Sequence, residues 1–193
     1  MQAARGTSLS PSDQPTPPVE NRHRRRKLLL FSTVAAAGYA ADLGTKELAL
    51  AVLDRADPVP VVGEWFGFFL TSNSGAAFSL GTSYTLVLSL IAIVAAVATG
   101  WVARRLGSTG WAVGLGFLLA GILGNLTDRI FREPSVLRGH VIDFLAFPNF
   151  PVFNVADICI NIAAAVIIIQ ALRGIRVDGS REQDRKRAGK GQP

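Results

Sequence analysis

Cysteine occurs once and histidine twice in 193 residues. One Cys leaves no disulfide framework and no thiolate cluster for zinc or iron–sulfur. His23 and His140 are far apart and lack a partner motif, which argues against a His-based metal site; H-E-x-x-H is absent as well. G-x-S-x-G is also missing. No period in the range of solenoid and propeller repeats recurs. Charged residues make up only 18% and aromatics 8%, a poor match to a soluble domain. What is abundant is apolar: 49% of the residues are hydrophobic and the mean hydropathy is +0.33. A net charge of +6 and a pI near 10.2 would suit a nucleic-acid binder. The hydropathy argues for a membrane protein instead, with no nucleic-acid partner.

Residues 1–21 are rich in Pro, Ser, Thr and Gln and have almost nothing to bury, so a disordered tail is expected. With the basic run Arg22–Lys27 it forms a cytoplasmic segment over 1–27. The apolar run that follows has two readings. Leu28 to Ala41 resembles the core of a secretory signal peptide. A span over about 28–53 is favoured, because three more follow at about 83–103, 109–127 and 153–172 and give an even count. Each suffices to cross about 30 Å of hydrocarbon. Ala120-x-x-x-Gly124 offers the small-residue spacing that lets helices approach closely. The expected fold is an all-α integral membrane protein: four transmembrane helices over 28–172, then a basic tail over 173–193.

Lys and Arg place the chain in the bilayer. The N-terminal segment has six, the loop after the second span has Arg104 and Arg105, and the C-terminal tail has seven. The other side has Arg55, Arg129, Arg132 and Arg138. Both termini are therefore expected in the cytoplasm. The tails and inner loop balance at +10 and the remainder at −4. Trp101 and Trp111 flank the inner loop as an aromatic belt would. The outer loop Asp54–Thr82 includes a β-prone, aromatic run from Val61 to Leu70, expected to form a small sheet on the membrane surface. The second outer loop runs from about Arg129 to Val152.

Ionisable groups inside spans are costly and mark function. At about 1.5 Å rise per residue, Asp42 lies roughly 21 Å from the inner boundary, with Lys46 one turn further on the same face. Asn125 and Asp128 come at about 24 and 28 Å, and Asp157 only about 6 Å below the outer surface. Asn154, Asp157 and Asn161 share a helix face, and Asp143 lies just above. Polar groups thus gather at one depth, the outer third. A proton-coupled transporter would need them staggered through both leaflets, and a non-enzymatic scaffold would not need them at all. A Ser nucleophile with Lys46 as base is conceivable for Ser72, Ser74 or Ser79, but Asp42 would hold that Lys protonated. The remaining chemistry is a carboxylate pair, best supplied by Asp143 and Asp157, sharing a proton and activating water without metal or cofactor.

Five strings occur in order: Asp42-Leu43-Gly44-Thr45-Lys46, Asn73-Ser74-Gly75-Ala76-Ala77-Phe78, Gly124-Asn125-Leu126-Thr127-Asp128-Arg129, Val141-Ile142-Asp143-Phe144 and Phe153-Asn154-Val155-Ala156-Asp157. Together they closely resemble the bacterial lipoprotein signal peptidases (signal peptidase II), over about residues 28–172. The resemblance implies a membrane aspartic endopeptidase of the bacterial inner (cytoplasmic) membrane. Such enzymes remove the signal peptide of prolipoproteins just before a diacylglyceryl-modified Cys. It implies Asp143 and Asp157 as the catalytic pair. Asn73, Gly75, Asn125, Asp128, Arg129 and Asn154 would then bind substrate or position the pair, and Asp42 with Lys46 would shape the site. The partners implied are lipidated prolipoprotein and membrane lipid, with no cofactor and the chain acting as a monomer. Many members have Gln where Leu43 stands, and the loop from Asp143 to Asp157 is short. Plainer expectations stand beside these: Asp128 and Arg129 as a structural ion pair, Gly75 as a turn glycine with positive φ, Phe78 as packing, Cys159 as a small buried hydrophobe and His140 as an ordinary loop residue.

Overall fold

The apolar runs become four helices in the computed structural model, which describes residues 19–75 and 83–181. The expected tail over 1–18, Ala76-Ala77-Phe78 with Ser79, and residues 182–193 lie outside the described residues. The elements in chain order are α1 (Val19–Val52), β1 (Val59–Val62), β2 (Phe66–Asn73), α2 (Ser83–Ala103), α3 (Thr109–Phe131), β3 (Val141–Ala146) and α4 (Val155–Leu172). All four helices are long and apolar enough to cross a membrane.

The centre of the bundle is α3, which packs against each of the other three. Half of its apolar stretch is buried inside the protein, against 11–17% for the others. Its small residues permit this. A Cβ on Gly121 would fall 2.4 Å from the Ala156 carbonyl of α4, and one on Gly38 of α1 would fall 2.8 Å from Cβ of Ala120. The outer faces are apolar and open: Val94 and Val97 are each 68% exposed and Leu172 83%. In water such faces would be a liability; against lipid tails they cost nothing.

Three boundaries differ from the sequence expectation. The basic run was assigned to the disordered segment 1–27, yet α1 begins at Val19 and carries the run as helix. Arg and Lys are good helix formers, and two of the run are anchored: Arg24 Nη2 donates to the Arg104 carbonyl at 2.5 Å, and Lys27 Nζ bonds Thr109 Oγ1. Helix α3 continues to Phe131, keeping Asp128 and Arg129 within helical geometry. The C-terminal tail over 173–193 does not start as a free tail either. Ile175 pairs with Arg181, and the turn between them packs on the α2–α3 loop, where Gly107 N donates to the Val177 carbonyl at 2.9 Å.

The aromatic run supplies part of the expected small sheet, as a hairpin turning at Gly63 with φ +51. A third strand joins it. The sheet is antiparallel in the order β1-β2-β3, with Thr71 opposite Asp143 and Asn73 opposite Val141. Strand β3 was expected to be loop. Val-Ile-Asp-Phe lacks the clean apolar–polar alternation that marks a strand, because both faces are covered and all four residues are buried. The sheet lies at one end of the bundle; the start of α1, the α2–α3 loop and the segment after α4 gather at the other.

Candidate active site

The site is built around the first turn of α4. Asn154 is its N-cap, with φ −133 and ψ −178. Its side chain accepts from Asp157 N at 3.0 Å while Asp157 Oδ2 accepts from Asn154 N at 3.2 Å, a reciprocal capping box. Asp157 therefore does serve its own helix end. Its other oxygen, Oδ1, accepts from Asn125 Nδ2 at 2.9 Å.

Asp143 arrives from β3, 2% exposed. Asn154 Nδ2 donates to its Oδ1 at 2.6 Å, and Asn73 Nδ2, from the end of β2, donates to its Oδ2 at 2.9 Å. The Asn73 amide is itself fixed, since Gly75 N donates to its Oδ1 at 2.8 Å. Gly75 has φ +83, which any side chain would strain. One residue, Asn154, thus touches both carboxylates: Asp157 through its backbone N–H and Asp143 through its amide. Burial, reinforced by the nearby Asp157 charge, pushes the Asp143 carboxyl up to about 6, against the pull of the Asn73 and Asn154 hydrogen bonds.

Beneath the pair lies a fully buried ionic layer. Lys46 Nζ reaches Asp42 Oδ2 at 2.7 Å, Asp128 Oδ2 at 2.8 Å and Asn125 Oδ1 at 3.1 Å, so its three protons are all engaged. Lys46 is therefore no general base, and none of its contacts is with Ser72 or Ser74. Each partner extends the layer. Asp42 Oδ1 accepts from Ala156 N at 2.7 Å, so α1 supplies a cap to α4. Asp128 Oδ2 accepts from Ile142 N at 3.2 Å, which ties α3 to the strand one residue from Asp143. Asn125 accepts from Lys46 and from Asn154 at 3.0 Å while donating to Asp157. Gly124 leaves room for all this: a Cβ there would fall 2.4 Å from Asp42 Oδ2.

Asp128 and Arg129 do not form the expected ion pair, because consecutive helical residues point in different directions. Asp128 Oδ1 instead meets Arg132 Nε, one turn on, at 2.5 Å, and Arg132 Nη2 meets Glu47 at 2.7 Å. Arg129 turns toward the site, near enough to Asp157, Asp128 and Asp143 to feel their charge. Its Nη1 makes one long bond to the Asn125 carbonyl, 3.3 Å, and its buried Nε has no partner. Arg132 and Glu47 were not expected here; the i,i+4 spacing of Asp128 and Arg132 was the available signal. Cys159 is buried, packed near Gly38. His140 lies in the loop before β3, where its backbone N–H donates to the Glu133 carbonyl at 3.0 Å and its Nε2 is buried. Among the described residues no group of three or more His, Cys, Asp or Glu is arranged to hold a metal.

Residues 34–173 match the family described as Signal peptidase (SPase) II. The chain is 47% identical over 171 residues to a lipoprotein signal peptidase of Mycobacterium avium, covering 89% of each chain. To the lipoprotein signal peptidase of Streptomyces coelicolor it is 43% identical over 167 residues, 86% of this chain and 81% of that one. A bacterial membrane enzyme solved by the in meso method at 1.9 Å superposes with a TM-score of 0.66 at 26% identity, over 73% of this chain and 91% of that one. A second such structure, at 2.3 Å, gives 0.64 at 25% identity over 72% and 85%.

Proposed function

The chain belongs to the signal peptidase II family, a multi-pass membrane peptidase, and on that premise we propose that Asp143 and Asp157 hydrolyse the bond before the lipidated Cys of a prolipoprotein. The observation that carries this reading is the shared clamp: Asn154 holds both carboxylates at once, 2.6 Å from Asp143 and 3.2 Å from Asp157.

The two acids divide the work by environment. Asp143, pushed up to about 6, keeps a proton that it donates to the scissile carbonyl oxygen. Asp157, held at the α4 N-terminus where negative charge is favoured, takes a proton from the attacking water. The water oxygen bonds to the carbonyl carbon, giving a tetrahedral diol with both protons accounted for. Collapse breaks the C–N bond; Asp157 returns its proton to the leaving amine and Asp143 recovers one from the diol. Arg129, with Nε unpartnered, faces the pair and offers a donor to a substrate carbonyl.

The membrane placement follows from charge. The end carrying Arg24, Lys27, Arg104 and Arg105 lies in the cytoplasm, with both termini, and the sheet end lies at the outer leaflet of the bacterial inner membrane. A diacylglyceryl group must keep its chains in hydrocarbon, so the adjoining bond sits near the outer headgroups, at the depth of the acids. The sheet then lies over the site as a surface cover. The decisive test is cleavage of a purified diacylated prolipoprotein beside its unlipidated form. Cleavage of the lipidated form alone is expected, and equal cleavage of both would remove the lipid from recognition.

A further inference from the structure

At the end of the bundle opposite the acids, α2 and α4 stand apart over α3. A cavity of about 480 Å³ occupies the gap, lined by Trp101 and Arg105 on one side, Trp111 below, and Ile175, Arg176 and Val177 opposite. That volume falls within the range of small-ligand sites.

The closing wall is fixed in place. Trp111 Nε1 donates to the Ile175 carbonyl at 2.7 Å, and Gly107 N and Ser108 N share the Val177 carbonyl at 2.9 and 3.2 Å. A Cβ on Gly107 would fall 2.1 Å from the Asp178 carbonyl, so this contact requires glycine. Asp178, also on the lining, holds Ser180 through its N–H at 2.9 Å and hydroxyl at 2.7 Å. The guanidinium of Arg105 lies over the Trp101 ring, 4.7 Å from its centroid. Among the described residues, neither Arg105 nor Arg176 is ion-paired with a carboxylate.

Two guanidiniums, two indoles and the Asp178 carboxylate, whose Oδ1 is taken up by Ser180, therefore rim a cavity with Val102, Ala171, Ile175 and Val177 also on its lining, and the flanking helices carry exposed apolar residues one turn further along, Val97 of α2 at 68% and Ile168 of α4 at 57%. Its occupant needs an anionic head and an apolar body. The N-terminal region of a signal peptide is positively charged and would be repelled. We propose that this cavity binds the headgroup phosphate of an anionic phospholipid, whose acyl chains run along the groove between α2 and α4. The proposal goes beyond the peptidase reading and does not depend on it.

The probe is phosphatidylglycerol with brominated acyl chains, titrated into phosphatidylcholine nanodiscs holding the full chain with Trp65→Phe. This leaves Trp101 and Trp111 as the reporting fluorophores. Saturable quenching at a low lipid fraction is expected, absent with brominated phosphatidylcholine. Arg105→Gln with Arg176→Gln should move the midpoint on the order of 25-fold, since each basic residue near an anionic surface is worth about fivefold in affinity. Arg105→Lys with Arg176→Lys should retain most of the binding, which separates charge from fold. Equal quenching by both lipids would overturn the proposal, as would an unchanged midpoint in a glutamine variant of normal circular dichroism. Loss of selectivity on removing residues 182–193 alone would assign it to that tail instead. Relief of quenching by millimolar inorganic phosphate would make this a free-phosphate site and overturn the lipid assignment.

Discussion

Two carboxylates of one residue type are given different surroundings by their neighbours, and the proposed division of labour between them rests on that difference. Asp143 is buried with two amide donors, whereas Asp157 is held by a helix N-terminus and Asn125. Asp143→Asn and Asp157→Asn should each abolish prolipoprotein cleavage while leaving the protein inserted, as read by gel-shift processing; normal cleavage by either would remove it from the chemistry. The alkaline limb of kcat/KM should fall near pH 6, where Asp143 loses its proton. Stability carries the same signature. The folded Asp143 holds its proton to about 6 and the unfolded one to about 4. The native state therefore binds more protons between these values, and stability should decline as pH rises through that window and level off above it. Thermal unfolding in detergent at pH 4.5 and 7 checks this, and Asp143→Asn should flatten the difference. Lys46→Met should cost about 3–5 kcal/mol, because it strands the buried charges of Asp42 and Asp128. A denaturation midpoint equal to wild type would contradict the ionic layer.

The elements cooperate through their ends. Helix α4 starts where it does because Asn154 and Asp157 cap it from within and Asp42 from α1. Asn154→Ala removes a cap worth about 1 kcal/mol and also frees Asp143 Oδ1. Its cleavage rate should therefore fall far more than its stability, whereas a purely structural cap would lower both together. Gly124→Ala pushes a methyl against Asp42 and should cost about 1–3 kcal/mol by overpacking. The four helices were legible in the sequence because each is a long apolar run with few charges. So was the convergence of Asp42, Lys46, Asn125, Asp128 and Asp157, since rise per residue alone fixes depth. Strand β3 was not, because its pairing with β2 is a tertiary event that leaves no alternation in Val141-Ile142-Asp143-Phe144. The tie from Asp128 to Ile142 N was hidden for the same reason.

Across the whole molecule, polar and charged groups are divided by position along the bundle axis. The sheet end holds the ionic layer and the acids; the other end holds the basic helix start, the indoles and the folded-back segment 173–181. One step of synthesis separates these layers. Asp42 enters the membrane with the first helix, yet its Oδ1 receives Ala156 N only when the fourth arrives. Asp143 and Asp157 are themselves late in the chain, and Asn154, which holds both, lies between them. A ribosome-bound intermediate with three helices inserted has no clamp and only one of the two acids. On the proposed pairing, the enzyme stays silent throughout its own translation, and the last helix to emerge starts its activity.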